Sequence, residues 1–291
     1  MRYAIIIFFG SIYFLSLNSD WQDRLDEKRS IISEPTSKLL TTQLQLFISG
    51  QAPAIADERI KQIPIKENGE SIVDITILNH PRISVMTKED CLLAHEFPSD
   101  IDPRSDSHSK VRAGVFQALI EMLDNLDKLA PAFGYKAGML EIKLFEGLRD
   151  LGTQKELFEA KMKEICLANP TMTKEEAYAQ TSKWVSPYID NVPVHSTGAA
   201  VDIHIFDRES NSFCDMGRFN TSGTLAPTFS TDNRLTSQQK NHRLLMLIAA
   251  NSSGLINYLN EFWHFSLGDR YAAYFQENNS ELRCACYGSI N

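Results

Sequence analysis

Along this 291-residue chain, apolar positions recur at helical spacing in several long stretches and alternate with polar ones in shorter ones. Over 111–130, Val111, Val115, Leu119, Met122, Leu123 and Leu126 line one side of an amphipathic helix that Pro131 stops. Leu140, Ile142 and Leu144 then alternate with Glu141 and Lys143, which predicts a strand over 138–145. Residues 153–168 return to helical spacing, and Thr173 with Glu176 has the spacing of a capping box opening a further short helix. A second strand is predicted over 199–206, with Val201, Ile203 and Ile205 on its buried face. Residues 237–250 read as a helix ending toward Gly254, 261–267 as aromatic and strand-like, and 71–78 as the first strand-like material. Helices and strands in mixed order, joined by hairpin-scale connections, predict a single α+β domain with a central, mainly antiparallel sheet flanked by helices.

Residues 20–70 are polar and interrupted by Pro35, Pro53 and Pro64, so they are expected to be an irregular lead-in that wraps or tethers a domain spanning 71–291. Before them, Arg2 precedes an apolar run from Ala4 to Leu17, followed by polar Asn18, Ser19 and Asp20. The run is shorter than the roughly 20 residues that cross a bilayer and fits the apolar core of a secretory signal. Residues 1–19 are therefore expected to be a signal peptide cleaved near Ser19. Export to a bacterial periplasm or the medium follows, with no membrane span left; without such a signal the chain is cytoplasmic. With 43% hydrophobic and 23% charged residues the balance is globular. A formal charge of -8 and the lack of any dense Lys/Arg run argue against nucleic acid as a partner. Five cysteines, at 91, 166, 214, 284 and 286, leave at least one thiol outside any internal pairing. None has the spacing of a zinc ribbon, and Cys284 and Cys286 read as a tail feature or a disulfide of an oxidising compartment.

Chemistry concentrates between 195 and 264. Alternation in the 199–206 strand puts Asp202 and His204 opposite the apolar face, and the Ser196-Thr197-Gly198 turn can fold His195 back toward them. Carboxylate and imidazole suit zinc, whose catalytic sites use three protein ligands and leave a fourth position for water. Glu261-Phe262-Trp263-His264 is the best supplier of a third ligand. A turn or bulge at the start of that strand would bring Glu261 and His264 into one cavity, with Glu261 placed to take a proton from the attacking water. At this level Asp202 and His204 remain rivals, and the His195–Asp202 pair has an ordinary hydrogen-bonded reading as well. Arg149 follows the 138–145 strand, where its fork of donors suits an oxyanion or, alternatively, a surface pairing with Glu146 or Asp150. No zincin motif, di-iron Glu-x-x-His pair or nucleophile elbow is present.

These residues, taken in order, resemble the D-alanyl-D-alanine dipeptidases within the zinc D-Ala-D-Ala peptidase superfamily. The resemblance runs from about 80 to 275. It is carried by Glu146-Gly147-Leu148-Arg149 with Gln154, by His195 to Asp202, by Asp215-Met216-Gly217, by Arg243-Leu244-Leu245, and by Glu261-Phe262-Trp263-His264-Phe265 with Gly268-Asp269-Arg270. It implies that His195, Asp202 and His264 hold one Zn2+ per chain, that Glu261 is the general base and acid, and that Arg149 stabilises the tetrahedral intermediate. His204 then falls to a supporting role. The chain departs from the family pattern in having Pro193 where a serine is usual, and Leu148 where a tyrosine is. It also reads Met216-Gly217-Arg218-Phe219-Asn220 where a carboxylate usually closes a segment one residue longer. Asp215 is left as the candidate for the substrate's ammonium group. The implied activity is hydrolysis of D-Ala-D-Ala, linked to peptidoglycan metabolism. The alternative is a D,D- or L,D-carboxypeptidase or endopeptidase acting on peptidoglycan stem peptides. A non-catalytic wall-binding or zinc-storage module is disfavoured, because it would need neither Glu261 nor Arg149.

Overall fold

Among the described residues there are eight strands: β1 (Ile72–Asp74), β2 (Ile83–Val85), β3 (Lys110–Arg112), β4 (Leu140–Glu146), β5 (Ala200–Asp207), β6 (Ser212–Phe213), β7 (Ile256–Asn257) and β8 (His264–Ser266). The computed structural model describes residues 20–93, 104–217, 227–229, 235–276 and 283–290, so the expected signal segment lies outside the described residues. The main sheet has the order β2-β4-β5-β8-β7, with β6 on β5, while β1 and β3 pair separately. β2 runs parallel to β4, and the other pairings are antiparallel, in keeping with the element order. Leu140, Ile142 and Leu144 of β4 and Val201 and Ile203 of β5 are fully buried, as their alternation predicts.

The principal helices are α1 (Glu34–Ile48), α2 (Ala113–Leu129), α3 (Leu151–Ala168), α4 (Lys174–Thr181), α5 (Ser237–Ser252) and α6 (Arg270–Phe275). α2 buries Val115, Leu119, Met122, Leu123 and Leu126 against the sheet and α5. It starts later than its periodicity suggests because Val111 and Arg112 belong to β3. The capping box of α4 forms in both directions: the Glu176 amide donates to Thr173 Oγ1 (3.2 Å) and the Thr173 amide to Glu176 Oε2 (2.9 Å). α3 and α4 stand together through Phe158, whose ring centroid lies 5.1 Å from that of Tyr178 and 5.9 Å from that of Tyr188.

Two expectations change. Residues 20–70 are not irregular: 20–28 and α1 are helical, and Trp21, Leu25, Leu40 and Leu44 belong to the same core as α2 and α5. Pro35 lies in the first turn of α1, just after the Ser33 cap, where a missing N–H costs nothing. The 71–78 segment is a strand only over β1. Asp74 then caps a helical turn, accepting from the Thr76 amide, and Asn79 ends that turn with φ +47. None of the five cysteines is joined in a disulfide.

Candidate metal centre and catalytic cleft

β5 is buried on both faces, and its polar face is the floor of the site. Antiparallel pairing aligns Glu146 of β4 with Asp202 of β5, and Asp202 with His264 of β8. Side chains directly opposite across such ladders are about 4.5–5.5 Å apart at Cβ, so the sheet itself assembles the row Glu146, Asp202, His264. A register shift between Leu144 and Glu146 gives β4 the bulge that turns Glu146 onto this row.

His195 arrives from the turn before β5. Val194–Thr197 is a single 3-10 turn closed by Gly198 at φ +69, a conformation that favours glycine. The turn folds His195 over the strand, with Nε2 3.4 Å from Asp202 Oδ1 and 3.1 Å from His264 Nδ1, while His264 Nδ1 lies 2.9 Å from Asp202 Oδ1. His195 Nδ1 must donate to the Gly147 carbonyl (2.9 Å), because a carbonyl can only accept. That tautomer leaves Nε2 with its lone pair directed at the other two groups. A side chain at Gly147 would place its Cβ 2.4 Å from the Lys110 carbonyl, so only glycine lets this backbone reach the imidazole.

All three side chains are buried, at 2–6% exposure. Burial alone would raise the Asp202 carboxyl; the two imidazoles outweigh it and hold the group well below the usual carboxylate range. Burial likewise works against a charged His195, and Asp202 reverses this, so the imidazole sits above its ordinary value.

Two imidazole nitrogens and one carboxylate oxygen, mutually within 4.8 Å, form a recognisable donor set for a cation. Zn–N and Zn–O bonds of about 2.0–2.2 Å in a tetrahedron correspond to ligand–ligand edges of about 3.3–3.6 Å. The observed 2.9, 3.1 and 3.4 Å are close to that frame, so the residues fit zinc without a change of fold.

Glu261 and Arg149 face the same space. Glu261 occupies the turn between β7 and β8, as a turn at the strand's start requires, with Oε2 3.9 Å from His264 Nδ1. Asn257, fully buried, donates from Nδ2 to the Glu261 (3.1 Å) and His264 (3.0 Å) carbonyls and fixes this turn. Burial pushes the Glu261 carboxyl up to about 7, opposed by His264 and Arg149 and reinforced by Asp202. A divalent cation among the ligands would lower it. Arg149 is held through Nε to Glu146 Oε1 (2.9 Å), Nη2 to Glu146 Oε2, and Nη1 to Gln154 Oε1 (2.9 Å). Burial alone would lower the guanidinium; Glu146, with Asp202 and Glu261, outweighs it. The salt bridge with Glu146 is therefore real, but it is buried and belongs to the cleft rather than to the surface.

These groups open onto a cavity of about 520 Å³ that runs from the three ligands past Arg149 and Tyr258 to Lys161 and Trp184. Residues 155–281 match the family described as D-ala-D-ala dipeptidase. A D-alanyl-D-alanine dipeptidase of Synechocystis sp. is 26% identical over 256 residues, spanning 78% of this chain and 95% of that protein. Over these residues the chain is similar to the D-Ala-D-Ala dipeptidases. Among solved structures, the LdcB LD-carboxypeptidase is 19% identical, with a TM-score of 0.34 over 62% of this chain and 68% of that one. VanYB in complex with D-alanine-D-alanine is 17% identical, with a TM-score of 0.33 over 64% of this chain and 90% of that one. The similarity to the dipeptidases rests on the sequence matches.

One substrate-side position, Asp215, stands elsewhere than the resemblance implies. Asp215 does not line the cavity among the described residues. Its Oδ1 accepts from the Gly217 amide (2.9 Å) and its Oδ2 from Gln239 Nε2 (2.9 Å), so the carboxylate closes the 215–217 turn and ties it to the first turn of α5. Asn220 lies outside the described residues. His204 is buried between the rings of Phe213 and Phe262, at 6.0 and 6.1 Å, which gives it a packing role. Pro193 does line the cavity. Asn257 and Tyr258 escaped the sequence reading; their only signal is a position three or four residues before Glu261.

Proposed function

We propose that this chain is a zinc-dependent peptidase that hydrolyses D-Ala-D-Ala, with one zinc ion held by His195, Asp202 and His264. The observation that carries this reading is the meeting of three metal-ligating atoms, a carboxylate and a guanidinium in one buried cleft. Bound there, zinc supplies a Lewis acid that polarises the scissile carbonyl and makes water nucleophilic near neutral pH. The protein's own groups do the rest. Glu261 accepts the proton of the attacking water and returns it to the departing amine nitrogen. Arg149 has five N–H donors, of which three are spent on Glu146 and Gln154. The remaining two are available to the oxygen that gains charge at the tetrahedral carbon. Purified protein should release free D-alanine from the dipeptide, lose that activity to a chelator and regain it with zinc. No release from a zinc-loaded sample would sink the substrate assignment.

The cavity favours a second substrate reading, an N-terminally extended peptidoglycan stem peptide. Its volume of about 520 Å³ exceeds the need of two alanines and falls in the roughly 300–1,000 Å³ range of sites for larger ligands. Comparing turnover of the free dipeptide with that of an N-acylated stem peptide separates the two. We also propose export, on the strength of the apolar run Ala4–Leu17. Among the described residues no helix is long and apolar enough to cross a membrane. N-terminal sequencing of the protein from its native compartment should find a start near residue 20.

A further inference from the structure

The two histidines are carried by segments 69 residues apart, and a third segment, Cys286–Ile290, touches both carriers. At one end, the Cys286 amide donates to the Gly268 carbonyl (2.8 Å), four residues beyond His264. At the other end, the Ile290 amide donates to the Ser196 carbonyl (2.8 Å), and Ser289 Oγ donates to Ser196 Oγ (2.8 Å), next to His195. Ser196 is completely buried, and its hydroxyl passes the chain of bonds on to the Pro193 carbonyl (2.7 Å).

The carbonyls of the His195 turn can be accounted for one by one. Val194 O accepts from Thr197 Oγ1 (2.5 Å), His195 O from the Arg149 amide (3.2 Å), and Thr197 O from Arg112 Nε (2.8 Å). Ser196 O is the one satisfied by the Cys286–Ile290 segment, and a buried carbonyl left unpaired is costly. The segment is itself anchored between the two contacts. Tyr287 Oη donates to Glu70 Oε2 (2.8 Å), the Gly288 amide to Glu67 Oε2 (2.6 Å), and Arg112 Nη2 to the Gly288 carbonyl (3.3 Å).

The two ligands differ in their need for such support. His195 has its outer nitrogen tied to the Gly147 carbonyl, whereas His264 Nε2 is buried without a hydrogen-bond partner among the described residues. On the side away from Asp202, the orientation of His264 therefore rests on packing and on its backbone, including the Gly268 end of the segment. The residues concerned, apart from those of the two carriers, lie outside the stretch 155–281 that matches the family.

We propose that Cys286–Ile290 is a strap that sets the spacing of His195 and His264 and thereby the affinity and geometry of the zinc site, with Ser289 and Ile290 as positioning residues. The inference rests on the reading of His195, Asp202 and His264 as the zinc ligands. Its test is metal binding in the full chain, not turnover. Ile290→Pro removes the N–H given to Ser196 O, and Ser289→Ala removes the hydroxyl. Zinc affinity would be measured by competition with a chromophoric chelator, and ligand geometry by the visible absorption of the Co2+-substituted protein. The double variant should keep the far-ultraviolet circular dichroism of the parent but bind zinc about tenfold or more weakly, the range seen when outer partners of metal ligands are lost, with altered Co2+ bands. Unchanged affinity together with an unchanged Co2+ spectrum overturns the strap. If the double variant unfolds, Ser289→Ala is compared with Ser289→Thr: weaker binding in the first that returns in the second supports the strap, and equal binding in both overturns it. A parent protein that holds no zinc overturns the proposed function before the strap is reached, which keeps the two failures apart.

Discussion

Glu261 and Arg149 can be tested separately because the fold supports them by different means. Glu261 stands on a turn held by Asn257 and by backbone hydrogen bonds, to which its side chain contributes none, so Glu261→Gln should leave zinc content and melting temperature near those of the parent. Loss of general acid–base catalysis should lower kcat by about 10²–10⁴-fold. A variant that keeps zinc and most of its turnover would remove Glu261 from the mechanism. Arg149 is locked into a fork with Glu146 and Gln154 that an ammonium cannot reproduce. Arg149→Lys should therefore lower kcat by about 10²-fold or more with a smaller change in KM, the pattern of a lost transition-state donor. Steady-state kinetics on zinc-loaded protein decide it. At this scale the sequence is informative wherever chemistry follows from periodicity: strand alternation puts Asp202 on the polar face, and the turn closed by Gly198 brings back His195. Asp215 shows the limit. Motif order places it beside the substrate, but the direction of its carboxylate is set by Gln239, 24 residues away on another element, and no local pattern encodes that partner.

Among the elements, α3 links helix stability to the cleft, since its N-cap Asp150 adjoins Arg149 and its first turn carries Gln154. Asp150 Oδ1 accepts from the Thr153 amide (2.8 Å), and Oδ2 accepts from Ser105 Oγ (2.7 Å) and Thr153 Oγ1 (2.8 Å). The Ser105 hydroxyl, and then the Thr153 amide, pull the carboxyl down to about 2. Asp150→Ala should destabilise the protein by about 1 kcal/mol at neutral pH, the usual cost of losing an N-cap. Because the folded pKa is depressed, the contribution of Asp150 is fully present above the ordinary carboxylate value of about 3.9 and is lost as pH falls toward about 2. In urea titrations the gap between parent and variant should stay constant from neutral pH to about pH 5 and then narrow as the carboxylate protonates. A gap independent of pH down to the acid limit would show that Asp150 does not cap as its hydrogen bonds indicate. The long helices were legible because each buries a stripe spaced three and four residues apart. α1 is hidden in the sequence because Pro35 resembles a break, although it follows Ser33 at a position where helices accept proline.

At the scale of the whole molecule, the residues proposed for catalysis all lie from Arg149 onward, yet the fold does not begin at residue 71. Trp21 is 1% exposed and meets Phe229 edge-on at 5.4 Å, and Leu40 and Leu44 are buried against the core that α5 shares with α2. Polar ties run the same way: Arg24 Nη1 donates to Asn241 Oδ1 (2.7 Å), Lys240 Nζ to Asp20 Oδ2 (2.5 Å), and Asn251 Nδ2 to Gln43 Oε1 (2.8 Å). Removing residues 20–70 would therefore expose one side of α5, whose Leu244, Leu245, Leu247 and Ile248 are at most 1% exposed, and would unpair Asn251. Each large apolar side chain so exposed forfeits about 1.5–3 kcal/mol, and a few such losses are comparable to the roughly 5–15 kcal/mol by which domains are stable. The composition of 20–70 conceals this, because its polar residues outnumber the apolar ones and the buried face of α1 is narrow. A version of the chain starting at Asp20 should melt cooperatively and bind zinc, whereas one starting at Ser71 should be recovered aggregated or without a cooperative transition. Size-exclusion chromatography and calorimetry distinguish these outcomes. A soluble, cooperatively melting protein starting at Ser71 would restore the boundary at residue 71 and reduce the first helices to an accessory layer. If the expected result holds, the helices before residue 71 are a wall of the catalytic domain itself, and the support of the zinc site extends from Trp21 to Ile290.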